Sequence, residues 1–258
     1  MKIHYLFVLF LSISLFSCNE KEKNGNAKLE IRLVDAPADY DAVYIDVKEV
    51  RIHTSETAAD EDQGWTTLST NAGIYNLLEL TNGIDALLAT EELPAGKVSQ
   101  IRLILGENNT LVENGETHDL TTPSAQQSGL KLKINATLEA DLKYVIMLDF
   151  DAARSIVKAG NSGKYNLKPV IRTFVESDGG SIKGCTSPTI IQSLVTVSQN
   201  GVIVASAYTN DGCFLIKGLP AGTYQVTVTP PLAYSPVTIS DVVVSNGQVN
   251  TLTSITIQ

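Results

Sequence analysis

The sequence has few of the residues on which catalytic and zinc sites usually depend. Its 258 residues include three histidines, three cysteines and one tryptophan. Beyond the N-terminal segment only His53 and His118 remain, and neither has a cysteine or a second histidine at zinc-ligand spacing. A Gly-x-Ser-x-Gly elbow and a phosphate-binding glycine loop are also absent. The sequence therefore predicts no zinc site and no catalytic constellation.

Basic residues are in the minority. The chain has 19 Lys and Arg residues against 28 Asp and Glu residues, which gives a formal net charge of -9. A chain this acidic repels phosphate backbones and anionic lipid headgroups. We therefore expect no nucleic-acid partner, and any membrane association must come from something other than surface charge.

The leading apolar run is too short to cross a bilayer. Residues 6–16 are almost purely apolar, whereas a membrane-spanning helix needs about 20 such residues. A run of this length fits the hydrophobic region of a signal peptide. The run ends in Leu15-Phe16-Ser17-Cys18, which resembles the bacterial lipobox. In that motif a small residue, here Ser17, gives the signal peptidase access to the bond that it cuts. The thiol of the following cysteine, here Cys18, becomes the thioether that carries the lipid.

The lipobox resemblance implies a compartment. Residues 1–17 would be removed as a lipoprotein signal peptide, and Cys18 would carry acyl chains that fix the protein to a membrane. Residues 18–27 have no apolar periodicity and are predicted to form a flexible tether. The alternative is an ordinary cleaved signal peptide followed by a chance cysteine. We expect a protein of the cell envelope, at the outer membrane or cell surface.

Composition and length favour a mainly β protein with two sandwich-type domains. Val, Ile, Thr and Tyr are frequent, 18 Gly and 9 Pro supply turns, and 258 residues suit two domains better than one. Residues 28–176 are predicted to form the first domain. Residues 177–180 then make a linker-like break, and residues 181–258 contain about seven short strands with turn residues between them, as in an immunoglobulin-like β-sandwich.

Local patterns in the first domain predict particular features. The alternation of apolar and polar residues along the second predicted strand changes phase between Val47 and Val50, which indicates a β-bulge near residues 48–49. Asn114-Gly115 predicts a hairpin turn. One helix is predicted, at residues 152–159, with Asp151 as its N-cap. A helical turn is predicted at residues 84–90.

The second domain contains motifs of a known family. They are Gly180-Ser181-Ile182-Lys183-Gly184, Thr209-Asn210-Asp211-Gly212-Cys213-Phe214, and the run Gly218-Leu219-Pro220-Ala221-Gly222-Thr223-Tyr224-Gln225-Val226-Thr227-Val228. On these residues the domain resembles the carboxypeptidase regulatory-like domains, which have a transthyretin-like fold. The resemblance implies a structural or binding appendage. Sugar binding is associated with this fold as a whole, and no residue of the motifs carries it.

The first domain resembles a lipoprotein family known as domain of unknown function 4382. The residues that carry the resemblance include Leu33-Val34-Asp35-Ala36-Pro37-Ala38-Asp39-Tyr40-Asp41-Ala42-Val43, Leu93-Pro94-Ala95-Gly96, Leu148-Asp149-Phe150-Asp151-Ala152-Ala153 and Lys168-Pro169-Val170-Ile171-Arg172. This resemblance implies a fold and no established activity.

Cys185 and Cys213 are predicted to form a disulfide. Lipidation of Cys18 leaves these two cysteines, both in the small second domain. The carboxypeptidase regulatory-like family does not as a rule have cysteine at either place, so the paired departures suggest a bond, and an exported protein permits one. The alternative is two buried free thiols.

Carboxylates form the most interesting polar set. Asp35, Asp39 and Asp41 lie in one segment and Asp149 and Asp151 in another. If the segments meet, Asp35, Asp39, Asp149 and Asp151 are candidate ligands for calcium, and two of the carboxylates could act as acid and base. The competing interpretations are a turn before Pro37 for Asp35 and a helix cap for Asp151. We otherwise expect no metal and no cofactor.

These observations support three hypotheses about function. The first is a non-enzymatic lipoprotein of the cell envelope that binds or displays a glycan or a surface protein. The second is a structural or accessory subunit of a surface fibre or complex, which an unpaired apolar edge strand would support. The third is a carboxylate-based hydrolase that uses Asp149 or Asp151. Trp65 could stack on a sugar ring, although a core position is favoured for it.

Overall fold

The computed structural model describes residues 25–36, 38–54, 64–122, 129–160 and 163–258. The predicted signal peptide, Cys18 and most of the predicted tether lie outside these residues, as does the Pro37 invoked for Asp35. The described chain is mainly β, with one short α-helix and one 3-10 helix, as the sequence predicts. No helix among the described residues is long and apolar enough to cross a membrane.

Fourteen strands and both helices make up the first part of the chain. They are β1 (Asn26–Ala36), β2 (Ala42–His53), β3 (Thr66–Thr67), β4 (Ser69–Thr70), β5 (Gly73–Asn76), the 3-10 helix Leu77–Glu79, β6 (Ala86–Pro94), β7 (Gly96–Leu105), β8 (Thr110–Glu113), β9 (Glu116–Thr121), β10 (Leu130–Leu138), β11 (Lys143–Asp151), α1 (Ala152–Ser155), β12 (Ile156–Lys158), β13 (Tyr165–Leu167) and β14 (Ile171–Val175). One sheet has the order β14-β11-β1-β6-β4, and a nine-stranded sheet runs β10-β7-β2-β8-β9-β13-β12, with β3 and β5 also paired to β2. Side chains of both sheets share one buried apolar core.

Strand β1 occupies the middle of the five-stranded sheet and fixes where the acidic segments meet. It pairs in parallel with β11, from Lys28 opposite Lys143 to Ala36 opposite Asp151. Because the carboxyl ends of parallel strands meet at the same edge of a sheet, Asp35 lies beside the end of β11. Asn26, the first residue of β1, lies at the opposite end of the strands, about 33 Å from Ala36 along this 11-residue strand.

Two local predictions are confirmed. The register of β2 against β7 shifts between Val47 and Glu49, which places the bulge at Lys48. Strands β8 and β9 form the predicted hairpin, and Asn114 and Gly115 have φ angles of 55° and 78°. A two-residue turn with both φ angles positive matches the twist of the strands that it joins.

Three predicted boundaries are wrong for identifiable reasons. Residues 84–90 do not form a helical turn, because most of them belong to β6, which pairs with β1 along its length. The helix at Asp151 ends at Ser155 rather than residue 159, since Ile156 and Val157 are β-branched and pair with β13. The predicted tether is two residues too long, because β1 begins at Asn26 and buries Ala27.

The second part of the chain is a smaller sandwich with its own core. Its strands are β15 (Gly180–Ser187), β16 (Leu194–Gln199), β17 (Val202–Tyr208), β18 (Cys213–Leu219), β19 (Gly222–Thr229), β20 (Val237–Val244), β21 (Val249–Thr251) and β22 (Ile255–Thr256). One sheet runs β18-β15-β21 with β22 also on β15, and the other runs β17-β16-β19-β20. The last predicted strand is two short strands, so eight replace the seven expected. Gly180, expected in the linker, starts β15 and is buried.

A disulfide joins Cys185 to Cys213, as predicted. The two residues are directly opposite in the antiparallel pair β15–β18, and their Cα atoms lie 4.0 Å apart. The bond therefore links neighbouring strands of one sheet. It also ties the turn at residues 210–212 to the sandwich.

Candidate functional site: a cleft between the two cores

Three of the predicted carboxylates come together at the carboxyl ends of β1 and β11. Asp35 is only 7% exposed, and its Oδ1 accepts a hydrogen bond of 3.1 Å from the backbone N–H of Ala152. Its Oδ2 is buried without a hydrogen-bond partner among the described residues. Burial raises the pKa of Asp35 well above its ordinary value, and the charges of Asp149 and Asp151 add to this rise, while the Ala152 N–H opposes it.

Asp149 is committed to an ion pair with Arg172. Its Oδ2 accepts from Nε of Arg172 at 3.0 Å and from Nη2 at 2.7 Å. Burial raises the pKa of Asp149, and the Arg172 guanidinium works in the opposite direction. Arg172 also donates to the carbonyls of Gly218 at 2.9 Å and Lys217 at 3.1 Å. The pair thus connects β11 and β14 to the second core.

Asp151 acts as a helix cap, which was the competing interpretation for it. Its Oδ1 accepts from the backbone N–H of Arg154 at 2.9 Å. Asp39, the fourth metal candidate, does not join the group at the ends of β1 and β11; it lines the cleft described below. Among the described residues, no set of three His, Cys, Asp or Glu side chains is arranged to hold a metal ion. The calcium hypothesis therefore has no ligand set in this part of the chain.

The buried state of Asp35 predicts a pH-dependent stability. With a raised pKa, the folded protein keeps this proton at pH values where the unfolded chain has lost it. The contribution of Asp35 to the free energy of unfolding is therefore fully present in acid. This contribution is lost as the pH rises from about 4, the pKa of Asp in the unfolded chain, towards the raised pKa of Asp35 in the folded protein. We expect Asp35→Asn, which stays uncharged, to lose less stability than the wild type between pH 4 and pH 8.

The measurement is the free energy of unfolding in urea across this pH range. Each unit of raised pKa corresponds to about 1.4 kcal/mol. Asp119→Asn, at an exposed position of β9, controls for the general effect of removing one negative charge. Parallel curves for Asp35→Asn and the wild type would contradict the prediction.

An open cleft of about 690 Å³ lies beside this junction, between the two cores. The first part of the chain contributes residues 38–41 before β2, one residue of the 3-10 helix and two residues after it. The second part contributes residues just before and at the start of β16 and residues at and just after the ends of β17 and β19. The lining residues are Ala38, Asp39, Tyr40, Asp41, Leu78, Thr81, Asn82, Gln192, Leu194, Tyr208, Asn210, Thr229, Pro230 and Pro231.

Many polar side chains in the cleft have hydrogen-bonding capacity that the protein does not use. In the described part of the chain, the side chains of Asp39, Gln192, Tyr208 and Asn210 accept and donate no hydrogen bond. The Oδ1 atom of Asn82 is buried and also lacks a partner there. Asp39, Gln192 and Asn210 are exposed, so their polar atoms are open to solvent and to a ligand. Tyr208 is half-buried, and a buried acceptor such as Asn82 Oδ1 is normally paired. The cleft therefore offers donors and acceptors that a polar ligand could use.

Asp39 and Asp41 have different surroundings although both line the cleft. Asp41 Oδ2 accepts from the backbone N–H of Gly115 at 2.8 Å, which fixes it to the β8–β9 hairpin. Asp39 has no such bond, and its charge acts on Tyr208 of the opposite wall. Burial is the main cause of the raised pKa of Tyr208, and the negative charge of Asp39 adds to it.

The sequence alone indicated only part of this site. Asp39 was proposed as a metal ligand, whereas it forms one wall of the cleft. Asn210 was assigned to a turn, and its backbone does pair with Cys213, but the residue also lines the cleft. No local pattern marks Gln192 or Tyr208, because their contribution arises only when the two cores pack together.

Trp65 lies away from the cleft and is half-buried. Its ring meets His53 edge-on at 5.2 Å between centroids, and the guanidinium carbon of Arg102 lies 4.2 Å from the centroid of the indole. This cation–π contact with a buried arginine occupies one face of the ring. A packing role therefore explains Trp65 better than sugar stacking.

Comparison with known proteins gives structural likenesses at low identity. The Bacillus anthracis TIE protein is 15% identical over 91% of this chain and 34% of its own, with a TM-score of 0.25. GBS52, the minor pilin of Streptococcus agalactiae, is 10% identical over 88% of this chain and 95% of its own, with a TM-score of 0.23. BcpA, the major pilin subunit of Bacillus cereus, is 12% identical over 91% and 69%, with a TM-score of 0.24.

These three similarities indicate nothing about function, because each TM-score is below 0.5. The chain spans about a third of the length of the first of these structures. Among curated proteins, no sequence matches the chain. A family model does match, over residues 26–169, which is more than half of the 258 residues. The chain belongs to the family described as Domain of unknown function (DUF4382).

Proposed function

We propose that the protein is a non-enzymatic, lipid-anchored binding module of the cell envelope whose cleft holds an oligosaccharide. The observation that carries this proposal is the set of unused polar side chains that both cores direct into one cleft. A volume of about 690 Å³ lies within the range of small-molecule sites. Amide, carboxylate and phenol groups are suited to the many hydroxyls of a sugar chain.

The position of the cleft supports a display role. Residues 38–41 follow the carboxyl end of β1, whereas the chain enters β1 at Asn26, about 33 Å away along the strand. Cys18 precedes Asn26 by only eight residues in the sequence. A lipid on Cys18 would therefore attach the protein at one end of the sheet, and the cleft would face away from the anchored end.

The state of the carboxylates supports a role without catalysis. Asp149 is paired with Arg172 and Asp151 caps α1, so both carboxylates already have partners within the fold, whereas the third hypothesis assigns one of them to a substrate. For a fibre subunit, β20 offers an open edge with an exposed Val243. However, the register of β20 shifts at Asp241, whose φ is 58°, and such a bulge hinders the addition of another strand.

Calorimetric titration of the full-length protein in detergent with a panel of neutral oligosaccharides tests the proposal. For a saccharide that binds, Gln192→Ala combined with Tyr208→Phe is expected to weaken binding about tenfold, because two hydrogen bonds are lost. The matched control is Gln225→Ala with Tyr234→Phe, the same changes at exposed positions outside the cleft.

The bound saccharide should also be recovered with its chain length unchanged. Equal affinity of the cleft variant and the control would exclude the cleft as the site. Shortened products that depend on Asp149 would show that the protein is an enzyme.

A further inference from the structure

We infer that the cleft selects saccharides by charge, accepting neutral and amino sugars and rejecting uronic acids, and that Asp39 is the residue responsible. This inference rests on the proposed function and specifies the class of ligand. It starts from the charges that line the cleft. Among the residues that the structure describes, the lining includes two carboxylates, those of Asp39 and Asp41, and no lysine or arginine.

Nearby cations do not neutralise these carboxylates. Lys158, the cation whose charge acts on Tyr40 of the lining, has its Nζ 3.4 Å from a carboxylate oxygen of Glu113. On the neighbouring side of the junction, Arg172 is paired with Asp149, and Lys217 is paired with Glu176 at 3.0 Å. The surroundings of the cleft therefore supply no unpaired positive charge among these residues, and the whole chain has a net charge of -9.

Asp39 is the carboxylate that a ligand would meet. The carboxylate of Asp41 is already occupied by the N–H of Gly115, whereas Asp39 has neither a hydrogen bond nor an ion pair in the described part of the chain. Its charge acts on both tyrosines of the lining, Tyr40 and Tyr208, which lie on opposite walls. A carboxylate on the ligand would therefore approach an uncompensated like charge, and an ammonium group would find a partner.

Two chemically matched pairs of ligands isolate the effect of charge. Trigalacturonic acid and its methyl ester differ in whether the carboxyls are ionised and by one methyl group on each carboxyl. The glucosamine trimer and its N-acetylated form differ in whether the amines are charged and by one acetyl group on each amine. The effect of charge is therefore read from how each affinity ratio changes between the wild type and the Asp39 variants. Affinities are measured calorimetrically with the full-length protein in detergent at pH 6 and low salt, where amines and uronates are both charged and screening is weak.

The wild type is expected to bind the methyl ester about 5- to 10-fold more tightly than the acid, and the amine more tightly than the N-acetyl form. Asp39→Asn should lower both ratios, because the charge-dependent part is lost, and Asp39→Lys should lower them further. Glu92→Lys makes the same change of charge at an exposed position of β6, opposite the start of β1, and should keep the wild-type ratios.

The possible failures are distinguishable. If the methyl ester and the acid bind with equal affinity, or if Asp39→Lys keeps the wild-type ratios, charge selection by Asp39 is overturned while saccharide binding stands. If none of the four saccharides nor any of the neutral panel binds, the proposed function fails and the inference fails with it.

Discussion

Cys18→Ala is expected to move the protein from the membrane fraction to the soluble fraction of the envelope and to abolish incorporation of labelled palmitate. Each buried methylene of an acyl chain contributes about 0.8 kcal/mol, so that two or three chains hold a protein on a membrane almost permanently. The negative net charge offers no substitute attraction to anionic lipid. Loss of the thiol should therefore release nearly all of the protein.

The control keeps the lipid and removes the other cysteines. Cys185→Ser combined with Cys213→Ser breaks the disulfide but leaves Cys18, and this variant should remain in the membrane fraction and be labelled. A Cys18→Ala protein that stays membrane-bound and labelled would show that the anchor lies elsewhere. A Cys18→Ala protein that is released and was never labelled in its wild-type form would indicate an ordinary signal peptide.

Arg172→Met is expected to lower the free energy of unfolding by about 3 kcal/mol. The change leaves the carboxylate of Asp149, whose side chain is only 15% exposed, without its partner. Breaking a fully buried ion pair in this way costs about 3–5 kcal/mol. We expect a loss at the lower end of this range, because the Arg172 side chain is 28% exposed and solvent weakens the interaction. Two carbonyl acceptors in the second sandwich, at Lys217 and Gly218, lose their donor as well.

Urea unfolding of a double-mutant cycle tests this account. Asp149→Asn removes the charge that Arg172 compensates, so the double variant should recover part of the stability that Arg172→Met loses. Arg154→Met serves as a control, because it removes an arginine from an exposed ion pair. The Arg154 side chain is 68% exposed, and its Nη1 lies 3.7 Å from Oδ2 of Asp151. Such surface pairs contribute about 0–1 kcal/mol. Equal losses for Arg172→Met and Arg154→Met would refute a structural role for the buried pair.

The sequence predicted those features whose causes are local. The bulge at Lys48 follows from a change of phase in β2, the hairpin from Asn114-Gly115, and the cap at Asp151 from its place before a short helix. The Cys185–Cys213 bond followed from counting cysteines in one small domain. In the first three cases a few neighbouring residues determine the conformation, whereas the disulfide joins two strands that are 28 residues apart in the sequence.

The features that were missed depend on contacts between distant segments. Residues 86–89, Ala-Leu-Leu-Ala, favour a helix by propensity, but pairing with β1 makes them part of β6. Ile156 leaves the predicted helix because β13 offers it a partner strand. The cleft is the extreme case, since Tyr208 and Asp39 are brought together only by the packing of two cores.

The parallel pairing of β1 has a mechanical consequence. A lipid on Cys18 would pull on the N-terminal end of β1, along the direction of the strand and against the rest of the fold. β1 is paired with β11 from Lys28 to Ala36 and with β6 from Asn26 to Leu33, and these hydrogen bonds lie across the strand. Such a pull would therefore load these bonds together in shear instead of breaking them one at a time, so a lipid attached ahead of β1 would act on a strand that resists extraction along its own axis.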